Sequence, residues 1–351
     1  MAQVLMQGTK LWGEQIGELN PRDVIRRYED GFAGVYIDDD ARRKLWAEVQ
    51  AHGGYRFGSD AATDAGWAET AAGQLVITWL HVEKTFPGCW PGSAQTRGDC
   101  VSHSTRNAVL TTLACEIASG KPDEQTGKVE GVPDDLPEAG RKDGVLSTEA
   151  IYWWRDHGGD GWSCDHAASV VLKESGMWLR KNYDKFGVDL TRYSGNLAGK
   201  WGARNPPDEI KQFGLTHAVR TATELQSFEE VRDFLANGYG ISTCGGEGWS
   251  SSRDENGFSR RQGGWSHALA YIGADDRDEI KQKYGEPLVL VLNSWGRWNT
   301  GGRRVLGTSY DIPEGAFWAK WSDCRNRYMI AFASAMGWPR RKLSYIAPAL
   351  G

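Results

Sequence analysis

The chain has 351 residues, of which 40% are hydrophobic and 25% are charged, a composition typical of a globular protein with one large domain or two. Its formal net charge of −5 argues against nucleic-acid binding as the main function. No stretch approaches the ~20 apolar residues that a membrane-spanning helix needs. We therefore expect neither nucleic acid nor a membrane among its partners.

The N-terminal region, residues 1–90, is predicted to be helical. Two stretches favour helices, "DDDARRKLWAEVQAHGG" and "AATDAGWAETAAGQLVITWLHVEKTF", and Pro87 ends the second. The chain does not begin with a charged segment followed by an apolar one, so we expect a cytoplasmic protein, or one incorporated into a larger particle. This region is a candidate inhibitory segment, a docking surface for an assembly partner, or structural padding.

The six cysteines are spread widely along the chain, and without an export signal we expect them to be reduced. Two short pairings, Cys100 with His103 and Cys164 with His166, resemble fragments of metal sites. Neither is accompanied by a second pair at the spacing of a structural zinc site. We therefore expect no metal and no organic cofactor.

Residues 91–204 contain the segment "AQTRGDCVSHSTRNAV", in which Asp99 is predicted to cap a helix that begins at Cys100. A helix N-terminus lowers the pKa of a thiol and makes it a nucleophile, although a free cysteine is also an ordinary small core residue. Residues 121–145 are rich in Pro, Gly and acids and are predicted to form a loop. Further helices are predicted near 147–157 and 164–175.

From residue 205 to residue 351 the pattern becomes β-rich. "QSFEEVRDFLANG" predicts a short helix with a capping box from Ser227 to Glu230. The runs "YGISTC", "HALAYIGADD" and "PLVLVLNSW" are bounded by Gly, Asp or Pro and predict strands. The pattern predicts an α+β protein with segments 1–90, 91–204 and 205–351.

A cysteine nucleophile needs a base within hydrogen-bond reach and a group that orients the base. The β-rich segment offers His267 on one predicted strand and Asn293 at the end of the next. Neighbouring strands would place the imidazole beside the asparagine oxygen. Each residue also has an ordinary structural interpretation, as a core histidine and as a turn residue that ends a strand.

Taken together, these motifs resemble those of the papain-like cysteine peptidases, in the chain order Gln, Cys, His, Asn. Gln95 and Cys100 occur in "AQTRGDCVSHS", "SHALAYIGAD" surrounds His267, and "NSWG" begins at Asn293. The resemblance extends from about residue 93 to residue 321. It implies a papain-like fold of two subdomains, one helical and one resembling a β-barrel, with the N-terminal helical region as an addition.

The resemblance also implies roles for individual residues. Cys100, His267 and Asn293 would form the catalytic triad, Gln95 would help the Cys100 N–H to form the oxyanion hole, and Trp295 would cover the hydrogen bond between Asn293 and His267. The substrate groove would be lined by Gly158, Gly159 and Asp160, with solvent exposure as the alternative for Asp160.

Three features depart from the family pattern. Gln95 lies five residues before Cys100 instead of the usual six, and Arg97 stands where the family has a disulfide-forming cysteine. The family's prosegment signature is also not recognisable in residues 1–85.

The sequence thus predicts a thiol hydrolase that cleaves peptide or amide bonds through a thioester, with a polypeptide or peptide-like amide as substrate. One alternative is a catalytically silent structural or interaction protein of the same fold, such as a component of a virus particle. Another is an amidase that acts on peptidoglycan peptides or small amides.

Overall fold

The computed structural model of the protein describes residue 47 and residues 71–119, 143–155, 160–204, 208–214, 219 and 221–333. Most of the predicted N-terminal helical region (1–90) and most of the predicted loop (121–145) lie outside these residues, and so do Gly158 and Gly159 of the predicted groove.

The described helices precede, follow and connect the strands of one large sheet. They are α1 (Thr78–Thr85), α2 (Cys100–Ser119), α3 (Glu149–Tyr152), α4 (Cys164–Lys173), α5 (Gly195–Trp201), α6 (Asp208–Gly214), α7 (Phe228–Ala236), α8 (Asp278–Tyr284) and α9 (Trp321–Cys324). Short 3-10 turns follow α3 at Trp153–Arg155 and precede β3 at Asp184–Phe186.

The strands are β1 (Leu75–Val76), β2 (Asn182–Tyr183), β3 (Val188–Asp189), β4 (Thr221–Leu225), β5 (Ile241–Arg253), β6 (Ser259–Asp275), β7 (Leu288–Leu292), β8 (Thr300–Gly301), β9 (Ala316–Lys320) and β10 (Tyr328–Ala333). The main sheet has the order β4-β10-β5-β6-β7-β9 with antiparallel pairing, while β1 pairs with β6, β8 pairs with β5, and β2 and β3 form a separate pair. The predicted α+β class is confirmed.

Several predicted elements are present with changed lengths. The three predicted strands are found in β5, β6 and β7, but β5 and β6 are longer than predicted and form a long hairpin. The predicted helix near 147–157 is reduced to α3 and the 3-10 turn that follows it. Helix α7 begins after Ser227, whose Oγ accepts a hydrogen bond from the Glu230 N–H at 3.2 Å, which is one half of the predicted capping box. The Glu230 carboxylate accepts from the Gln226 N–H at 2.5 Å.

One face of helix α2 packs directly on the sheet. Cys100, Ser104, Ala108 and Thr112 follow one another at four-residue intervals, which places them on one side of an α-helix. Ser104 Oγ lies 2.6 Å from Ser242 Oγ of β5 and donates to the Leu269 carbonyl of β6, while Thr112 Oγ1 donates to a β10 carbonyl at 2.8 Å. These bonds satisfy polar groups that would otherwise be costly to bury.

Small residues make this close approach of helix and sheet possible. A Cβ atom at Gly240, just before β5, would lie only 2.2 Å from the Ala108 carbonyl oxygen. A larger residue there would push α2 away from the sheet. Because Cys100 lies on the same face of α2, its side chain is directed at the sheet as well.

The cysteines differ from the predicted reduced set. Cys164, the first residue of α4, forms a disulfide with Cys244 of β5, so the helical segment and the sheet are joined covalently. Cys89, Cys100, Cys115 and Cys324 are free and buried. The prediction failed because the two partners are 80 residues apart and are brought together only by the packing of α4 against the sheet. The segment boundaries at residues 90 and 204 stay a prediction.

Within the described part of the chain, no helix has both the length and the apolar character that crossing a membrane requires.

Candidate active site

The side chains of His267 and Asn293 meet at one end of the β6–β7 pair. His267 is in β6, and Asn293 directly follows β7, which pairs with β6 in antiparallel register. His267 Nε2 lies 2.8 Å from Asn293 Oδ1, and the same oxygen accepts a hydrogen bond from the Ser294 N–H at 2.7 Å. Since this oxygen is an acceptor, the proton of the neutral ring is on Nε2, and Nδ1 carries the basic lone pair.

Tryptophan rings enclose this histidine. Trp295 stacks on the imidazole, with ring centroids 4.7 Å apart and an angle of 26° between the planes. Trp265 approaches both rings, its centroid 4.7 Å from that of Trp295 and 6.1 Å from that of His267. The role of Trp295 in covering the hydrogen bond between Asn293 and His267 stays a prediction. Trp265 was not singled out from the sequence, although its position two residues before His267 places it on the same face of β6.

Cys100 begins α2 and reaches the same strand as the histidine. Its sulfur is hydrogen-bonded by the backbone of Ala268, the residue after His267, and by the backbone of Val101. The structure therefore brings the thiol against the segment of β6 that carries the imidazole. Cys100, His267 and Asn293 are each 0% exposed to solvent.

Burial dominates the acid–base state of the two reactive groups. Loss of solvation raises the pKa of the Cys100 thiol well above its ordinary range, and the neighbouring Asp99 raises it further. Burial lowers the pKa of His267 to about 3, against the raising effect of its bond to Asn293. With a weak acid beside a weak base, the proton stays on sulfur in this closed arrangement.

A buried arginine lies behind the histidine. Arg327 donates to the His267 carbonyl at 2.5 Å and to Thr243 Oγ1 at 3.0 Å, and it pairs with Glu247 at 3.2 Å. Its charge lowers the pKa of His267 and also that of Cys100. It lies beyond residue 321, where the motif resemblance ends, and nothing in the sequence pattern marks it.

Gln95 joins the segment before Cys100 to the segment after β7. Its N–H donates to the Ser294 carbonyl at 2.8 Å, and its side-chain oxygen accepts from Ser294 Oγ. Its Nε2 donates to the Arg97 carbonyl at 2.7 Å. Gln95 therefore connects the nucleophile segment to the residue next to Asn293, and its role in an oxyanion hole stays a prediction.

Asp99 does not cap α2 through its side chain, contrary to the prediction. Its Oδ2 accepts from the Tyr193 hydroxyl at 2.9 Å and lies 3.6 Å from His103 Nε2. The His103 ring meets the Tyr193 ring edge-on, with centroids 4.9 Å apart. Asp99 does precede the helix as predicted, since its carbonyl accepts from the His103 N–H at 3.1 Å, but its carboxylate is directed at Tyr193, 94 residues further along the chain.

Asp160 is buried, so the alternative of solvent exposure is wrong. Arg97 Nε lies 3.2 Å from its Oδ1, and the Tyr152 hydroxyl donates to the same oxygen at 3.1 Å. The Gly98 N–H contacts its other oxygen at 3.4 Å. This ion pair holds the segment before Cys100 against the residues that follow Gly159. The role of Asp160 in a substrate groove stays a prediction.

No protein-family model matches the chain, and no curated protein matches it in sequence. Solved structures do: xylellain, a cysteine protease from Xylella fastidiosa, is 14% identical with a TM-score of 0.43, over 76% of this chain and 87% of its own. Procathepsin B S9 from Trypanosoma congolense is 12% identical with a TM-score of 0.47, over 87% and 86%. The bromelain protease from Ananas comosus is 12% identical with a TM-score of 0.34, over 74% and 98%.

The comparison of structures finds papain-like cysteine proteases, the family that the sequence motifs resemble.

Proposed function

We propose that the protein is a thiol hydrolase that cleaves peptide or amide bonds, with Cys100 as nucleophile, His267 as general base and acid, and Asn293 as the group that orients His267. The observation that carries the proposal is the 2.8 Å contact between His267 Nε2 and Asn293 Oδ1. It fixes the tautomer whose Nδ1 can take a proton from a thiol held against the same strand.

The reaction proceeds by acyl transfer. Cys100 gives its proton to His267, and the sulfur attacks the substrate carbonyl to form a tetrahedral intermediate, whose oxyanion is held by the Cys100 N–H with help from Gln95. His267 then protonates the leaving amine as the C–N bond breaks, which leaves a thioester on Cys100. Water, deprotonated by His267, hydrolyses the thioester and restores the free thiol.

Access to the buried thiol is a requirement of this mechanism. Burial is the main cause of the shifted pKa values of Cys100 and His267, so admitting water or a polar substrate lowers the pKa of the thiol and raises that of the imidazole. Opening the site therefore favours the thiolate–imidazolium pair that attacks the substrate.

A second candidate is a structural or interaction protein with the same fold and no catalysis. Two observations favour it: all three triad residues are fully buried, and the Cys164–Cys244 disulfide joins the helical segment to the strand beside the site. If this candidate is correct, the polar contacts around Cys100 have a structural role only and take no part in catalysis.

Hydrolysis assays separate the candidates. Wild-type protein is incubated with an internally quenched peptide library, peptidoglycan peptides and small amides, in parallel with Cys100→Ser and Cys115→Ser. Cys115 is the matched control because it is another buried free cysteine of α2. Turnover by wild type and Cys115→Ser, but not by Cys100→Ser, supports the hydrolase. The substrate that is cleaved distinguishes a peptidase from an amidase. No turnover in any arm supports the interaction protein.

A further inference from the structure

An open cleft lies at the far end of the β5–β6 hairpin from the candidate active site. It has a volume of about 910 Å³ and is bordered by the end of β5, the start of β6, α8 and the β9–α9 junction. Cationic side chains dominate its lining, with five of them against two carboxylates: Arg253, Arg260, Arg261, Lys283 and Lys320 against Asp254 and Asp323. This balance is opposite in sign to the net charge of −5 of the whole chain.

Most of this positive charge is not neutralised inside the protein. Arg260 and Arg261 are exposed, and neither they nor Lys320 form an ion pair within 4 Å of another described residue. Only Lys283 has a close carboxylate, that of Glu255 at 2.7 Å. The cleft therefore presents free cationic groups to an incoming ligand.

The two carboxylates of the lining are engaged by neighbouring groups. Asp254 accepts hydrogen bonds from the Tyr284 hydroxyl at 2.8 Å and from the N–H groups of Asn256 and Phe258 at 2.9 Å. Asp323 lies within the electrostatic influence of Arg261 and Lys320. Asp323 therefore offsets part of the charge of Arg261 and Lys320, but five cationic groups against two carboxylates leave the lining with a net positive charge.

A buried arginine in the lining has an unused donor. Arg253 is 8% exposed, and its guanidinium donates to the carbonyls of Ala316 at 2.8 Å and Gly301 at 3.4 Å. Its Nε–H has no hydrogen-bond partner among the described residues. The guanidinium donates only to neutral carbonyls, so its charge adds to the positive potential of the cleft, while its Nε–H is itself buried and is not offered to a ligand.

The cationic groups are dispersed rather than convergent. They come from β5, β6, α8 and the end of β9, and a cleft of this size exceeds the volume of a single small anion. Charges spread in this way match carboxylates repeated along an extended chain. Phe258 and Tyr284, whose ring centroids are 4.7 Å apart, add an apolar surface for the intervening residues.

Strand β6 connects the cleft to the candidate active site. Arg261 and His267 are six residues apart on this strand, but the strand is bulged between them, and their partners on β5, Trp249 and Gly245, are four residues apart. At roughly 3.3 Å per residue the separation is between about 13 and 20 Å. A polypeptide bound at Cys100 would need about four to six extended residues to reach the cleft.

We propose that this cleft is an accessory binding site for an acidic segment of a polypeptide substrate. The proposal that the bound chain is a substrate depends on the proposed hydrolase function, whereas binding of the acidic segment does not.

Fluorescence anisotropy tests this binding without catalysis. The protein is the full chain with Cys100→Ser, so that no probe is cleaved. The probe is a fluorescein-labelled peptide of about ten residues in which Glu alternates with Ser, and its counterpart carries Gln in place of Glu. The test variant is Arg260→Glu/Arg261→Glu. The matched control is Arg192→Glu/Lys200→Glu, which makes the same change in net charge at two exposed residues of the helical segment.

We expect the Glu peptide to bind at least about tenfold more tightly than the Gln peptide, with an affinity that falls as salt is added. The test variant should lose at least about tenfold in affinity and the control less than about twofold. The single variant Arg261→Gln should lose about threefold, which keeps the test available if the double variant does not fold.

Three results would overturn the proposal. The first is no binding of the Glu peptide at low salt, and the second is undiminished binding by both test variants. The third is that inorganic polyphosphate displaces the labelled peptide at a lower concentration than the unlabelled peptide does. The last result would assign the cleft to phosphate-bearing ligands. Because hydrolysis is measured separately on wild type, loss of peptide binding and loss of catalysis are distinguishable.

Discussion

His267 lies on β6 and Asn293 directly follows the neighbouring strand β7, whereas Cys100 begins a helix whose preceding segment is held by side chains from elsewhere in the chain. The sheet side is defined by backbone pairing, by the stacking of Trp295 on His267 and by the tilted contact of Trp265 with Trp295. The helix side depends on the ion pair between Arg97 and Asp160 and on the hydrogen bond from the Tyr193 hydroxyl to Asp99. The base is thus oriented by strand pairing, and the nucleophile by the packing of α2 on the sheet together with a few polar contacts before the helix.

The largest expected effect concerns the sheet side and appears as a dependence of stability on pH. His267 has a pKa of about 3 in the folded protein against an ordinary value of 6.5. Between these pH values the unfolded chain binds a proton that the folded protein does not, so the free energy of unfolding decreases as the pH falls. The contribution of the neutral His267 to that free energy is complete above pH 6.5 and is lost by pH 3. The loss is on the order of 5 kcal/mol.

Urea unfolding of wild type and His267→Gln over this pH range isolates this contribution, since Gln does not titrate. The free energy of unfolding of wild type relative to the variant should decrease as the pH falls. A difference that does not change with pH would show that His267 is solvated in the folded protein.

The link between the two sides should have the next largest effect. The Cys164–Cys244 disulfide closes a loop with a sequence separation of 80, and its removal should lower the free energy of unfolding by about 4 kcal/mol. Reductant should lower the urea midpoint of wild type and leave that of Cys164→Ala/Cys244→Ala unchanged. An identical midpoint for wild type with and without reductant would mean that the bond does not form or does not contribute.

Arg327 tests whether the sheet side also controls the chemistry of the histidine. Replacing it by Met breaks a buried ion pair with Glu247 and should cost about 3 kcal/mol of stability. Because the arginine charge repels the imidazole proton, the same change should raise the pKa of His267. Imidazole NMR resonances followed against pH report that shift, and Arg327→Lys should retain part of the depression. A stability loss with an unchanged titration would leave Arg327 a purely structural role.

The smallest effect is expected on the helix side, at the Arg97–Asp160 pair. Arg97→Gln should cost about 2 kcal/mol, since Asp160 is buried but keeps the Tyr152 hydroxyl and the Gly98 N–H as donors. Arg192→Gln, at an exposed arginine, is the control and should change the free energy of unfolding by less than about 0.5 kcal/mol in denaturant titrations. Equal effects of the two changes would show that the pair does not hold the segment before Cys100.

The sequence was informative wherever the signal was local. The helix after Asp99, the strand around His267 and the strand that ends before Asn293 each show periodicity and punctuation within about ten residues. The order of the motifs along the chain predicted that these three elements meet at one site, and the structure places His267 and Asn293 in contact.

The contacts that the sequence did not reveal join distant segments. Cys164 pairs with Cys244, Tyr193 takes the Asp99 carboxylate, and Arg327 reaches the His267 carbonyl from beyond the resembling region. Such contacts depend on how α4, β5 and β10 pack, and no local pattern specifies that packing. The full burial of the site is likewise a property of the folded chain.

The most direct test of the triad is the rate at which a thiol-directed epoxide modifies each cysteine, measured by intact mass and peptide mapping in wild type and His267→Ala. If Cys100 is activated by His267, it should be modified faster than Cys115 and Cys324, and His267→Ala should slow that reaction by about 100-fold or more. Modification of Cys100 no faster than of the other buried thiols, or at the same rate without His267, would contradict the assignment of a catalytic triad.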